Sequence, residues 1–374
     1  MIIGFDAKRL FQNYTGLGNY SRFLVRALGK NFPEHEYVLF APAVRWHPDT
    51  SEFASGTYKV VTPGGLGRFV HPVWRSFTLS LTKSARRLDI FHGLSHELPY
   101  GLPDKVKKVV TVHDLIFYRY PEYYKKVDVA IYKQKVKSAC QRAHRIVAIS
   151  HQTAQDIHDF LGVPSEKITV VYQGCHPRFM EKVPEEGLSE IRKKYNLPSR
   201  YLLNVGTIER RKNIKTVIEA LAQIPENLRI PLVIVGRKTA YADEVLDRAR
   251  QLHVASFIHI IDNLPFPDLP AIYQAADVFL YPSLFEGFGI PVIEAIWSGV
   301  PVITSTGSCF SEAGGPHSLY ASPVHPQSWA EAILKLLSDS KLRAELSAAS
   351  LNYVQQFRPE VIARDMMGVY TSLF

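Results

Sequence analysis

Short apolar runs alternate along the chain with longer stretches whose apolar residues recur every three or four positions. Runs rich in Val, Ile, Leu and Phe, bounded by Gly, Pro, Asn and Asp, read as buried parallel strands. The 3.6-residue periodicity between them reads as helices. In the first half the predicted strands are Ile2–Phe5, Tyr37–Ala41, Lys59–Thr62, Ile90-Phe91, Lys108–Val112, Arg145–Ile149 and Ile168–Tyr172. A helical pattern through Phe23, Leu24, Ala27 and Leu28 follows the turn Thr15-Gly16-Leu17-Gly18-Asn19-Tyr20. In the second half, strands Tyr201–Val205, Leu232–Val235, Phe257–Ile261, Val278–Tyr281 and Pro301–Ile303 alternate with helices over 213–223, 242–252, 268–276 and 290–297. Residues 329–357 read as helical, and a last helix follows Pro359.

Two successive β-α arrays predict an α/β fold of two Rossmann-like, doubly wound domains. The turn-rich segment Gln173-Gly174-Cys175-His176-Pro177 marks the crossing. The expected domains are 1–178 and 179–357, with a helix over 358–374 packing back on the first.

Composition narrows the setting. The 374 residues are 46% hydrophobic and 21% charged, ordinary for a globular protein with full cores. Three scattered cysteines, Cys140, Cys175 and Cys309, lack metal-ligand spacing and fit a reducing compartment. Met1 runs directly into the strand at Ile2–Phe5, so no secretion signal is expected, and no apolar run approaches the ~20 residues that span a bilayer. A cytoplasmic location is the expectation. The formal charge of +9 admits nucleic acid, an anionic membrane face or anionic small molecules as partners. No nucleic-acid-binding motif is present, so no nucleic-acid partner is expected. The basic stretch Lys125–Arg145, with Tyr123, Tyr124 and Tyr132, and the segment Phe69–Arg87, with Trp74, suit peripheral contact with an anionic membrane. An amphipathic helix packed on its domain with a wet basic face is the competing reading.

The segment Phe285-Glu286-Gly287-Phe288-Gly289-Ile290-Pro291-Val292-Ile293-Glu294 follows a predicted strand and opens a helix. Gly287 and Gly289 allow a sharp turn and close approach of a ligand, and Pro291 suits a first helical turn. The amides from Phe288 through Ile290, with the helix dipole, suit a phosphate. A carboxylate beside that phosphate belongs on neutral hydroxyls, so Glu286 reads as a sugar ligand. Glu294, eight residues on, lies roughly 12 Å along a helix, about the span from a transferred sugar to a nucleotide ribose. A capping acid and a solvated helix residue are the plainer alternatives. Between a strand and a helix, Arg211 and Lys212 supply charge for a diphosphate, or simply form a basic surface turn.

Glu-x7-Glu in this context resembles the signature of the retaining glycosyltransferases of family 4, of the GT-B fold, also described as bacterial glycosyltransferase group 1. Val205-Gly206-Thr207-Ile208-Glu209-Arg210-Arg211-Lys212-Asn213, Ala275–Ser283, Thr15–Tyr20, Val112-His113-Asp114-Leu115 and Ala148-Ile149-Ser150 resemble other segments of that family. The resemblance implies two facing domains with a cleft between them. It implies a nucleotide-sugar donor, GDP- or UDP-linked, as cosubstrate, with no other cofactor. The acceptor would be a glycan or lipid-linked hydroxyl in cell-surface polysaccharide synthesis. Relatives use an Arg where Thr207 stands, so Arg210 or Arg211 would replace that contact. The resemblance sets His113 against the transferred sugar and Leu264, in Asp262-Asn263-Leu264-Pro265, against the base. Gly16-Leu17-Gly18 lacks the third glycine of a dinucleotide fingerprint, Ser21 standing there. It reads as a loop whose amides approach donor or acceptor, or as an ordinary strand-helix turn. With Arg211 and Lys212 offsetting the leaving charge and no Asp-x-Asp motif, no metal is expected. The Gly206–Asn213 loop is similar to that of bacterial mannosyltransferases, implying GDP-mannose. A sugar-nucleotide epimerase on the same fold, a non-catalytic sugar-nucleotide or glycan-binding protein, and an NAD-dependent enzyme remain as alternatives.

Overall fold

The computed structural model describes residues 1–64 and 71–374; Phe69 and Val70, which begin the second segment expected at a membrane, lie outside the described residues. The chain divides into two units. Unit 1 takes residues 1–174 and 357–374, and unit 2 takes residues 175–356.

Unit 1 is a seven-stranded parallel sheet: β1 (Ile2–Asp6), β2 (Glu36–Phe40), β3 (Lys59–Val61), β4 (Ile90–Gly93), β5 (Lys107–Val112), β6 (Arg145–Ala148) and β7 (Ile168–Val170). The spatial order is β3-β2-β1-β4-β5-β6-β7, so the winding reverses between β1 and β4. Four of the five β1 residues and all of β4 are buried, which is why these strands read as uninterrupted apolar runs. The helix Gly16–Asn31 packs against the last helix, Pro359–Thr371, which buries Ile362, Ala363, Met366, Met367, Val369 and Tyr370.

Unit 2 holds a six-stranded parallel sheet: β8 (Leu202–Val205), β9 (Leu232–Val235), β10 (Ile258–Ile261), β11 (Val278–Tyr281), β12 (Val302–Ser305) and β13 (Leu319–Ala321). Its order, β10-β9-β8-β11-β12-β13, reverses between β8 and β11. The core beneath it gathers Leu202, Ile234, Val278, Leu280, Ile303 and Trp329.

The structure adds two features to the sequence reading. β13 was not foreseen: three residues between Ser318 and Ser322 give too short a run to stand out. The stretch 329–357 is helical, in more than one piece. Helices Pro326–Ser338 and Ser340–Tyr353 break at Asp339, whose side chain caps the second by accepting from the Leu342 amide at 2.8 Å. All three cysteines are free thiols and buried. Among the described residues no helix is long and apolar enough to cross a membrane.

Candidate functional site

In an open parallel sheet, ligands collect beyond the carboxyl ends of the strands where the winding reverses. In unit 2 that place lies past β8 and β11. The loop after β8 is Gly206–Asn213, and the loop after β11 is Pro282–Gly289. They are stitched together by backbone and side chain. The Leu284 amide donates to Arg211 O at 2.9 Å, and Asn213, in the left-handed region at φ +55°, donates from Nδ2 to Pro282 O at 3.1 Å.

The stitching brings Glu286 onto both cations. Lys212 Nζ and Arg211 Nη1 each reach Glu286 Oε1, at 2.7 and 2.8 Å. Arg211 also donates to Phe285 O and pairs with Glu209, both at 2.8 Å. Lys212 donates to the Tyr281 hydroxyl at 3.0 Å. Burial pushes the Glu286 pKa up, but Lys212 and Arg211 outweigh it and hold the carboxyl at about 2. Sequence reasoning set Glu286 on hydroxyls and the cations on a diphosphate; in the structure the groups neutralise one another. Arg210 turns away, over the Tyr241 ring and onto Glu244 at 2.6 Å, so Arg211 is the arginine at this cluster. Thr207 is half-buried directly after Gly206.

The helix Ile290–Trp297 starts beside this cluster. Its cap, Gly289, has φ +111°, a conformation side chains oppose, and a β-carbon there would stand 3.8 Å from the Tyr281 ring. Gly289 and the Phe288 ring are buried; Ile290 and Pro291 are half-buried and form the open part of the helix start. The amides of Gly289 and Ile290 have no hydrogen-bond partner among the described residues. Cys309 fixes the loop from behind, its thiol donating to Phe288 O at 2.9 Å and Glu286 O at 3.2 Å. Sequence gave no signal for Cys309 or for Ser308, which donates to Glu286 O at 3.1 Å. Glu294, one turn into the helix, accepts from the buried Tyr273 hydroxyl at 3.0 Å, and burial raises its pKa to about 7. Leu264 lies half-buried after β10, at the sheet edge and two strands from β8.

In unit 1, His113 follows β5 and is buried. Its Nε2 lies 2.8 Å from Leu94 O, a group that only accepts, so Nε2 carries the proton and Nδ1 keeps a lone pair. Burial, then His96, lower its pKa to about 3, so the ring is neutral. The Tyr20 ring stands edge-on at 4.6 Å. Behind it runs a buried chain: Tyr20 Oη to Thr111 Oγ1 at 3.0 Å, Thr111 to His92 Nε2 at 2.8 Å, and His92 Nδ1 to Tyr370 Oη at 2.7 Å. Gly16 and Gly18 differ in kind. A β-carbon on Gly16 meets nothing within 4 Å, whereas one on Gly18 would sit 1.7 Å from Asn13 O. The Gly18 amide is already taken by Asn13 Oδ1 at 3.1 Å and Thr15 O at 3.0 Å, so this glycine serves chain packing.

The residues expected at a membrane divide. Trp74 is buried in the unit 1 core, and Tyr124 and Tyr132 pack edge-on against Phe117. Val73, Phe77, Leu81 and Val127 are exposed, the last at 70%.

Comparison with known proteins follows the division of the chain. Residues 14–179 match the model of Glycosyltransferase Family 4, and residues 189–352 match that of Glycosyl transferases group 1. An O-antigen chain mannosyltransferase of Escherichia coli is 29% identical over 309 residues, 82% of this chain and 79% of its own. An O-antigen chain mannosyltransferase of Salmonella typhimurium is 29% identical over 235 residues, 63% of this chain and 62% of its own. Among solved structures, Anabaena HepE in complex with UDP and glucose superposes with a TM-score of 0.75 at 17% identity, covering both chains fully. Each unit thus carries one half of a known enzyme architecture, and the chain belongs to the family 4, group 1 glycosyltransferases of the GT-B fold.

Proposed function

We propose that the chain transfers a hexosyl group, mannosyl in the reading its relatives favour, from a nucleotide diphosphate to a glycan or lipid-linked hydroxyl in cell-surface polysaccharide synthesis. The donor is GDP- or UDP-linked, and the chain works in the cytoplasm. The observation that carries this is the Glu286–Arg211–Lys212 cluster at the reversal of the unit 2 sheet, beside a helix start with two unpaired amides. An arriving diphosphate takes over Arg211, Lys212 and those amides, and releases Glu286, fully ionised, to grip sugar hydroxyls. As the glycosidic bond breaks, charge grows on the leaving phosphate, where the fixed cations and helix dipole stabilise it. They supply what a metal ion would supply, and transfer proceeds without one. Glu294 accepts from the ribose hydroxyls. The His113 Nδ1 lone pair accepts from a sugar hydroxyl, and a neutral ring does not repel an oxocarbenium-like centre. Configuration at the anomeric carbon is retained.

A melting-temperature panel of GDP- and UDP-sugars, with magnesium and with EDTA, tests the donor. One nucleotide sugar stabilises the protein equally in both conditions, and Glu286→Ala abolishes transfer. Failure of every nucleotide sugar to stabilise it, or undiminished turnover by Glu286→Ala, overturns the reading. Contact of the exposed Val73, Phe77, Leu81 and Val127 with an anionic membrane is the finer part of the proposal. Co-sedimentation with phosphatidylglycerol vesicles, absent with neutral ones, supports it; equal binding to both refutes it.

A further inference from the structure

Unit 1 has its own winding reversal, and the mechanism above leaves it empty. The chain leaves β1 through Ala7-Lys8-Arg9 and leaves β4 through Leu94-Ser95-His96-Glu97. The acids here are engaged: Arg75 holds Asp6 at 2.8 Å and Glu97 at 2.6 Å, and Lys135 reaches Glu97 at 3.3 Å. Lys8 and Arg9 are different. Both are half-buried, yet neither side chain has an ion pair or hydrogen bond among the described residues. Burial lowers the Lys8 pKa, and Arg75 and Arg9 lower it further, outweighing the opposing pull of Glu97 and Asp6. Cations are seldom withdrawn from water without a counter-ion.

His96 adds a directed donor. Its backbone sits in the left-handed region at φ +60°, held by its amide to Thr111 O at 2.9 Å. Its Nε2 accepts from the His113 amide at 2.7 Å, which fixes the proton of the neutral ring on Nδ1. That Nδ1–H has no partner among the described residues. Two cations without an ion pair and a fixed N–H follow the adjacent strands β1 and β4, a setting that suits an anion with several oxygens.

We infer that Lys8, Arg9 and His96 bind a phosphate group carried by the acceptor. The inference rests on the transfer reading, which fills unit 2 with the donor and leaves this receptor for the second substrate. The acceptor is therefore a phosphorylated sugar or a lipid diphosphate. A neutral glycan would leave both cations without a direct ion pair.

The test is calorimetry on the full chain saturated with GDP or UDP, whichever stabilises it, so that the unit 2 cations are occupied. Glucose 6-phosphate stands for a phosphorylated sugar and geranyl diphosphate for a lipid diphosphate; the probe that binds names the source. Binding weakens about 10-fold for each cation lost in Lys8→Met and Arg9→Met, and about 100-fold in the double variant. Neither side chain supports local structure, so the variants keep the wild-type melting temperature; should the double variant misfold, each single substitution still reads the site. Binding of neither probe, or equal binding by wild type and variants, overturns the inference. If no nucleotide binds, the transfer reading fails separately, and probe binding by nucleotide-free Lys212→Met protein still reads Lys8 and Arg9.

Discussion

Replacing Glu286 by Gln removes the anion that Arg211 and Lys212 share and sets stability against ligand affinity. The three side chains keep 11%, 17% and 16% of their accessible surface, so solvent screens the pairs little. Breaking a buried pair costs about 3–5 kcal/mol. Here Gln still accepts a hydrogen bond, Arg211 keeps Glu209 at 2.8 Å, and Lys212 keeps Tyr281 at 3.0 Å. About 2 kcal/mol is then lost, a fall of ~4–8 °C in the melting of a unit this size. A diphosphate gains what Glu286 no longer takes. At an effective dielectric constant of ~20, a unit charge ~6 Å from the missing carboxylate is relieved of about 3 kcal/mol, enough for 10-fold tighter nucleotide binding after partial screening. The assay compares melting curves with and without nucleotide diphosphate, alongside turnover. Glu286→Gln melts lower than wild type, is stabilised more by nucleotide, and transfers no sugar. A variant that loses nucleotide binding together with turnover refutes the exchange: Glu286 would then be orienting the cations rather than competing for them.

Other expectations follow from groups described above. Glu294 has a native pKa of about 7 against an ordinary 4.5, so the native state binds the extra proton and stability falls as pH rises from about 4.5 to 7. Glu294→Gln flattens that slope in pH-dependent denaturation, by at most about 3 kcal/mol across the window; an unchanged slope contradicts the assignment. Tyr370→Phe removes the partner of His92 Nδ1, costing about 1–2 kcal/mol in urea unfolding; a stability equal to wild type would show that the chain of hydroxyls adds nothing. Gly18→Ala lowers the melting temperature by several degrees, because the backbone must move away from Asn13 O, whereas Gly16→Ala leaves it unchanged. Transfer activity lost by Gly16→Ala alone would mark a ligand close to that backbone.

The strands were legible because a parallel strand covered on both faces is written almost wholly in apolar residues, as at Val109-Val110 and Phe279-Leu280. β13 escaped because three residues carry no periodicity, and Asp339 escaped because a cap inside a continuous helical pattern looks like surface. At the site, residue types and loop positions were readable; pairings across the fold were not. Glu286 meets Lys212 across 74 positions, and Tyr273 meets Glu294 across 21. No local pattern marks His96 as left-handed, since its conformation is imposed by Thr111 and His113 from the next strand.

The return of residues 357–374 to unit 1 has a consequence for biogenesis. During synthesis the whole of unit 2 emerges before the partner of His92 exists, so the half begun first is the half completed last. Until Pro359–Thr371 docks, the helix Gly16–Asn31 shows the ribosome-bound chain an uncovered apolar flank, a surface for chaperones to guard.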